Sequence, residues 1–459
     1  MKPLWTSSAI AAAVGGTASA SFDADGVAFD SREVGPGDLF IAMKGETSDG
    51  HLYLDKAFAN GAAGAICEQD IAQPHVRVKD SAAALNALGA AARARTDAKI
   101  IGVTGSAGKT GTKEALFQCL DRIEPGSAHR SVKSYNNHVG VPLSLARMPE
   151  ESRFGIFEMG MNHAGELAGL TQLVRPHAAI VTTVAPAHLG YFPSIEAIAD
   201  AKGEIFAGLE PGGTAIIPFD SPYRDRLIAA ARPYAQTVIT FGIGEGADAR
   251  ALDWVPGGDG ATLITASLPG RTSLCFTLAA PGEHWVANAM AVLAAVQAVG
   301  GDLAAAGLAL AELPGLAGRG ARHVIRAGEG EALLIDESYN ANPASMAATL
   351  AQLGREPAQR RIAVLGAMRE LGADADHYHG ALAGHLAGAN VDLTILVGDE
   401  MKILAEALEG NREFAHGPDA AWALATLQSG MRAGDAILIK GSNAVGLGKI
   451  VSALTGGEK

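Results

Sequence analysis

The chain has 459 residues, 48% of them hydrophobic and 19% charged, with a formal net charge of −13. That length is more than one hydrophobic core serves and predicts about two to four domains. The composition is that of a folded rather than a disordered chain, and the acidic balance argues against nucleic-acid binding, which leaves a basic footprint. Three scattered cysteines, Cys67, Cys119 and Cys275, point to neither a disulfide framework nor a zinc site, and a reducing cytoplasm suits them best.

The Ala-rich start, ending in Thr17-Ala-Ser-Ala20, imitates a secretion signal. It carries a single basic residue, is broken by Gly15-Gly16, and lacks leucine in its apolar part, so it reads better as a short helix over Ser8 to Val14 capped by Thr6 or Ser7. No later run approaches the roughly 20 apolar residues of a membrane span, so no membrane insertion is expected. Up to residue 97, short strands (Val27-Ala-Phe, Leu39-Phe-Ile-Ala-Met, Gly64-Ala-Ile-Cys) alternate with helices. The clearest helix is Ser81 to Arg95, with Leu85, Leu88 and Ala92 on one face.

The apolar run Lys99-Ile-Ile then leads into Gly102-Val-Thr-Gly-Ser-Ala-Gly-Lys-Thr-Gly111, followed by a helical segment from Lys113. Strand, glycine loop and helix N-terminus hold nucleotide phosphates through backbone N–H groups: here Gly105, Ser106, Ala107, Gly108, Lys109, Thr110 and Gly111. Lys109 would reach the outer phosphates and the Thr110 hydroxyl a Mg²⁺ ion. The usual glycine five residues before Gly108 is replaced by Val103, so the loop is the shorter G-x-x-G-K-T form.

Downstream, Phe154-Gly-Ile-Phe, Ala178-Ala-Ile-Val-Thr-Thr-Val and Thr214-Ala-Ile-Ile alternate with helices, the pattern of a mostly parallel sheet. Residues 237–279 read as shorter strands with Gly-rich turns, and a helix follows from His284 to Val299. Beyond Leu313–Gly320 a second parallel α/β unit begins. It lacks G-x-G-x-x-G after its first strand, so no dinucleotide site is expected there. The fold class is therefore α/β in three domains: 1–97, a parallel-sheet phosphate-loop domain at 98–313, and a Rossmann-like domain at 314–459.

Several residues fall where chemistry is done. Glu158 ends an apolar strand, a position where ligands collect in open parallel sheets. It is a candidate Mg²⁺ ligand, against the plainer reading of a strand-end acid in water. His188 follows another such strand, as either a site or a structural residue. Lys202 shares a helix face with Ile195, Ile198, Ala199, Ile205, Phe206 and Leu209 if Ser194–Leu209 is helical. Spacing alone favours a snorkelling lysine. A buried one would lose its proton readily and could react with CO₂ to form a carbamate. Asp336-Glu-Ser-Tyr-Asn-Ala-Asn-Pro343 is equally a ligand loop or an ordinary capped turn before a helix at Ala344.

Taken together, Thr104–Thr110, Tyr135-Asn-Asn-His-Val-Gly-Val-Pro142, Glu158-Met-Gly-Met-Asn162, Ala187-His-Leu189, Ala201-Lys-Gly-Glu-Ile205 and Gly282–Ala289 resemble the Mur ligase family, ATP-dependent enzymes that extend the peptidoglycan precursor. The resemblance spans essentially the whole chain, and the short phosphate loop is that family's variant. Asp30-Ser-Arg32, Pro36–Glu46, Asp336–Asn342 and Gly366-Ala-Met-Arg-Glu-Leu-Gly372 are similar to the branch that joins D-alanyl-D-alanine to UDP-N-acetylmuramoyl-tripeptide. The Asp-Asn-Pro-Arg motif of the preceding ligase is absent. Two positions depart from the pattern: Ala367 stands where the family often has Asp, and Trp285 where Asn is common.

The resemblance implies that Lys109 and Thr110 hold the γ-phosphate and one Mg²⁺, with Glu158 as its partner. It also implies that His188 and a carbamylated Lys202 serve a second Mg²⁺, reversing the reading from spacing. Asn288, Arg319 and Asp336 would contact ATP, Asp336 at the ribose. Ser31, Arg32, Lys44, Gly45 and Glu46 would line the uridine end of the precursor and Asn136 and Asn137 its muramoyl-peptide part; Tyr339 and Asn340 would also face substrate. The expected protein is a monomer in the bacterial cytoplasm. Its rivals are a related ligase adding a single amino acid, a folate-type ligase, and a nucleotide-switched binding protein.

Overall fold

The computed structural model describes residues 2–45, 48–187, 189–257, 261–280, 282–313 and 315–456. Near the N-terminus, helix Ser7–Val14 starts on Thr6, whose hydroxyl accepts from the Ala9 amide at 3.2 Å. It ends on Gly15 in the left-handed region, so the Ala-rich stretch is a capped helix whose Ile10 is buried. A sheet follows in the order Thr17–Ala18, His75–Arg77, Gly64–Cys67, Asp38–Ile41, Gly26–Ala28, with all but the first pairing parallel. Helix Ser81–Ala94 covers it, Leu85, Leu88 and Ala92 inward.

The central sheet runs Ala128–Arg130, Phe154–Glu158, Lys99–Thr104, Ala178–Val181, Thr214–Pro218, Thr237–Gly242, Ala249–Pro256, Thr262–Leu268, Thr272–Leu278. Its first seven strands are parallel and the last two join antiparallel. Its inner strands are buried on both faces, which is why they read as continuous apolar runs. Residues 237–279 differ from the sequence expectation. They form strands of six to eight residues whose outer members alternate buried and exposed positions, the mark of a half-solvated antiparallel ribbon. Helices Lys109–Ile123 and Glu283–Ala298 pack on one face, the second almost entirely buried from Val286 to Val296.

The last sheet is Ala321–Ala327, Gly330–Glu337, Asp435–Lys440, Arg360–Gly366, Leu393–Val397, Glu413–Gly417, parallel except for the first hairpin. Parallel strands order their C-terminal ends on one edge. Residues from these edges of the central and last sheets line one cavity between them. No helix among the described residues is long and apolar enough to cross a membrane.

Candidate active site

Between those two edges lies a cavity of about 600 Å³ lined by both domains. On the central side, strand Lys99–Thr104 delivers the chain into Gly105 at φ +149°, where a Cβ would stand 1.9 Å from Thr182 Oγ1. Only glycine fits that approach. Val103 lies inside the strand and pairs with Glu158 across the ladder, so the loop begins one residue after Thr104 and the carboxylate emerges beside it. Helix Lys109–Ile123 starts at once, with its first N–H groups aimed into the cleft.

Lys109 folds back so that its Nζ donates to Gly105 O at 2.6 Å. Desolvation in the cleft lowers its pKa, against the attraction of the Glu158 carboxylate. Thr110 Oγ1 donates to Glu158 Oε2 at 2.8 Å and Asn136 Nδ2 to Glu158 Oε1 at 2.8 Å, while Ser131 Oγ accepts from the Glu158 amide. Lys113 Nζ stands 3.9 Å from the same carboxylate and donates to Lys133 O at 2.8 Å. Glu158 is thus a buried carboxylate held on three sides, with a hydroxyl beside it. This hard oxygen pair suits Mg²⁺.

Lys202 lines the cavity and is 1% exposed, so it does not snorkel to solvent. Among the described residues its side chain has no hydrogen bond or ion pair. Burial first, and Lys109 second, push its pKa well below the lysine range. Its helix, Ile195–Gly203, is shorter than the sequence suggested and tightens to a 3-10 turn over Glu204–Gly208. The cause is tertiary. Glu204 accepts from the amides of Gly165 and Ala168, and Ile205 O is taken by Thr171 Oγ1 at 2.7 Å. His188 lies outside the described residues, as does Glu46.

The last domain brings Arg319, Tyr339 and Asn340 to the same cavity, while Asn288, on the central domain's helix Glu283–Ala298, stands beside Gly108 of the phosphate loop. Arg319 lies over the Tyr339 ring, 4.4 Å from its centre, and donates to Ser134 Oγ at 3.2 Å. Trp285, the departure from pattern, packs against Gly111, 2.9 Å from where its Cβ would be. Asn342 caps helix Pro343–Arg355 and its Nδ2 reaches Ser106 O at 3.2 Å, joining the last domain to the phosphate loop.

Asp336 is not on the cavity wall. Its Oδ2 accepts from the Gly318 amide at 2.6 Å and its Oδ1 from Ser338 N and Oγ, so it pins the interdomain connection. The neighbouring Glu337 lines the cavity instead, 3.3 Å from the buried Lys440 Nζ and close to His284. Lys113, Glu337, Lys440 and His284 escaped the sequence reading. Two had a signal: successive strand residues face opposite ways, which separates Glu337 from Asp336, and Lys440 ends an apolar strand as Glu158 does.

Of the described candidates for the uridine and muramoyl-peptide ends, Asn136 lines this cavity and Ser31, Arg32, Lys44, Gly45 and Asn137 sit apart from it. Ser31 is buried and its carbonyl accepts from Asn60 Nδ2, while Arg32 is exposed and forks onto Asp30. Lys44 pairs with Glu68 at 2.6 Å, and the Gly45 amide donates to Ser48 O. Asn137 accepts from the amides of Val139 and Gly140 ahead of helix Gly140–Ala146. Ala367 is fully buried and, as an alanine, offers no acid at that position.

Comparison with known proteins matches residues 23–124 to the family described as Mur ligase family, catalytic domain, residues 103–296 to the Mur ligase middle domain, and residues 322–443 to the Mur ligase, glutamate ligase domain. The chain is 34% identical over 433 residues to the UDP-N-acetylmuramoyl-tripeptide--D-alanyl-D-alanine ligase of Escherichia coli, covering 94% of this chain and 93% of that protein. A crystal structure of MurF from Acinetobacter baumannii superposes with a TM-score of 0.84 at 30% identity, covering 98% and 99% of the two chains. MurF from Thermotoga maritima in complex with ADP gives 0.76 at 26% identity, covering 94% and 97%.

Proposed function

The chain belongs to the Mur ligase family, and we infer from that membership and from the two-domain cleft that it joins D-alanyl-D-alanine to UDP-N-acetylmuramoyl-tripeptide, converting ATP to ADP and phosphate in peptidoglycan precursor synthesis. The observation that carries this reading is the convergence, in one cavity, of the phosphate loop, the buried Glu158 and Lys202, and the last domain's Arg319 and Glu337.

In this reading the loop amides and Lys109 orient the γ-phosphate, Lys109 exchanging the Gly105 carbonyl for a phosphate oxygen. The tripeptide's terminal carboxylate attacks the γ-phosphorus, and the bond to the ADP oxygen breaks, giving an acyl phosphate. The dipeptide's uncharged amine then attacks the acyl carbon, and phosphate leaves from the tetrahedral intermediate, carrying the amine's proton away as hydrogen phosphate. Thr110 and Glu158 would hold one Mg²⁺, and His188 and a carbamylated Lys202 would serve a second; these ions would supply charge neutralisation on the transferring group. Arg319 adds positive charge from the facing domain. On the nucleotide's ribose side, the acid that faces the cavity is Glu337, with Asp336 behind it holding Gly318 in place. Closure of the last domain over the loop through Asn342 excludes the water that would hydrolyse an acyl phosphate. Ser31, Arg32, Lys44, Gly45 and Glu46 take the uridine end and Asn136 and Asn137 the muramoyl-peptide end. The protein works as a monomer in the bacterial cytoplasm.

The test is ADP release with UDP-N-acetylmuramoyl-tripeptide plus either D-alanyl-D-alanine or single amino acids. Turnover to the pentapeptide product with the dipeptide alone is the expected result. Product from single amino acids would move the chain to another branch of the family.

A further inference from the structure

Seven consecutive residues, Ser131 to Asn137, are held by all three domains. From the central domain, Lys113 Nζ donates to Lys133 O at 2.8 Å, Asn136 Nδ2 donates to Glu158 Oε1 at 2.8 Å, and Asn136 O accepts from the Gly160 amide at 2.7 Å. From the last domain, Arg319 reaches Ser134 Oγ. From the first domain, Glu33 Oε1 accepts from both Lys133 Nζ and Tyr135 Oη, the latter at 2.8 Å.

Glu33 follows directly on Asp30-Ser-Arg32. Its amide donates to Asp30 O at 2.9 Å, closing a tight turn that the Asp30 carboxylate reinforces by accepting from the Arg32 amide. Lys133, between Glu33 and Lys113, is in the left-handed region at φ +52°. For a lysine that conformation is unfavourable and persists only when its surroundings fix it. Here the fixing contacts are the Glu33 carboxylate on its side chain and Lys113 on its carbonyl. Three residues on, the same loop presents the amide that orients Glu158.

We propose that Glu33 is a positioning residue that couples occupation of the precursor segment Asp30–Arg32 to the orientation of Glu158 in the phosphate cleft, through Lys133, Tyr135 and Asn136. This rests on the function proposed above. Glu33 itself touches neither nucleotide nor reacting atoms. Ordering of the Asp30–Arg32 turn by precursor fixes the Glu33 carboxylate, which fixes the loop and so the buried carboxylate. By linkage, Mg²⁺-nucleotide must then tighten precursor binding by the same factor.

Calorimetric titration of the full-length protein tests this with UDP-N-acetylmuramoyl-tripeptide and a Mg²⁺ complex of a non-hydrolysable ATP analogue, each alone and each in the presence of the other. In the wild type each ligand is expected to tighten the other by about tenfold. In Glu33→Ala that factor should fall to about one, with the separate affinities changed by no more than about threefold. Tyr135→Phe, which removes one hydroxyl and leaves the fold's charges intact, should lose part of it. Amide exchange over residues 131–137 should slow on adding UDP-tripeptide alone in the wild type and not in Glu33→Ala.

Persistence of the full coupling in Glu33→Ala overturns the proposal. So does a loss confined to precursor affinity, which would make Glu33 an ordinary ligand contact. A wild-type protein that fails to bind UDP-tripeptide at all would overturn the function itself, an outcome distinguishable from either.

Discussion

Lys202 is a lysine with no reason to be buried except chemistry. Its amine lines the cavity, 1% exposed, and both burial and the charge of Lys109 favour the neutral form. A folded-state pKa lowered in this way costs stability at neutral pH, because the unfolded chain binds that proton more tightly than the folded one does. Conversion of the amine to a carbamate would replace that cost with a carboxylate-like anion between Lys109 and the Glu158 side of the cleft. K202A is accordingly expected to lose activity by at least about a hundredfold. Short carboxylic acids such as acetate should restore part of it, read as ADP release; absence of rescue counts against the carbamate. Burial of this kind was not legible from spacing, where seven residues sharing a helix face with one lysine among them favour snorkelling. Glu158, at a strand end beside a phosphate loop, was legible, because sheet topology alone dictates what faces that edge.

Among the elements, helix Pro343–Arg355 shows how a local capping signal acquires a second use. Asn342 and Ser345 form a reciprocal capping box, and Pro343 supplies the first helical turn without an orphan N–H. The sequence carries all of that. It does not carry the Asn342 bond to Ser106 O, which depends on the packing of two domains. Two substitutions separate the roles. S345A weakens only the box, and N342A removes both cap and cross-domain bond. Each should lower stability, N342A by about 1 kcal/mol, read by denaturant unfolding. N342A alone should raise the KM for ATP, by roughly three- to tenfold for one lost hydrogen bond. Equal KM values for the two variants would reduce Asn342 to a cap. The helix carrying Lys202 shows the converse: its periodicity runs to Leu209, yet Glu204 and Thr171 draw the last turn into a tighter form, because tertiary bonds outweigh a fraction of a kcal/mol of propensity.

At the scale of the molecule, three α/β units were readable from the alternation of apolar strands and helices, whereas their mutual seating was not, because it depends on contacts between residues far apart in the chain. One such contact brings Gly372 against Gly190: the Gly190 amide donates to Glu370 O at 3.1 Å, and a Cβ on Gly372 would meet Gly190 Cα at 3.0 Å. Gly372 also has φ +61°. G372V should therefore hold the last domain away from the phosphate loop. Turnover is expected to fall by about tenfold or more with UDP-tripeptide affinity unchanged, and small-angle scattering should show a larger radius of gyration; normal turnover would mean that this contact has no part in closure. The cavity walled by two domains has one further consequence. A spent nucleotide seated there leaves only when the walls part, so the contacts that assemble the site, Asn342 on Ser106 and Arg319 on Ser134, are also those that retain the product.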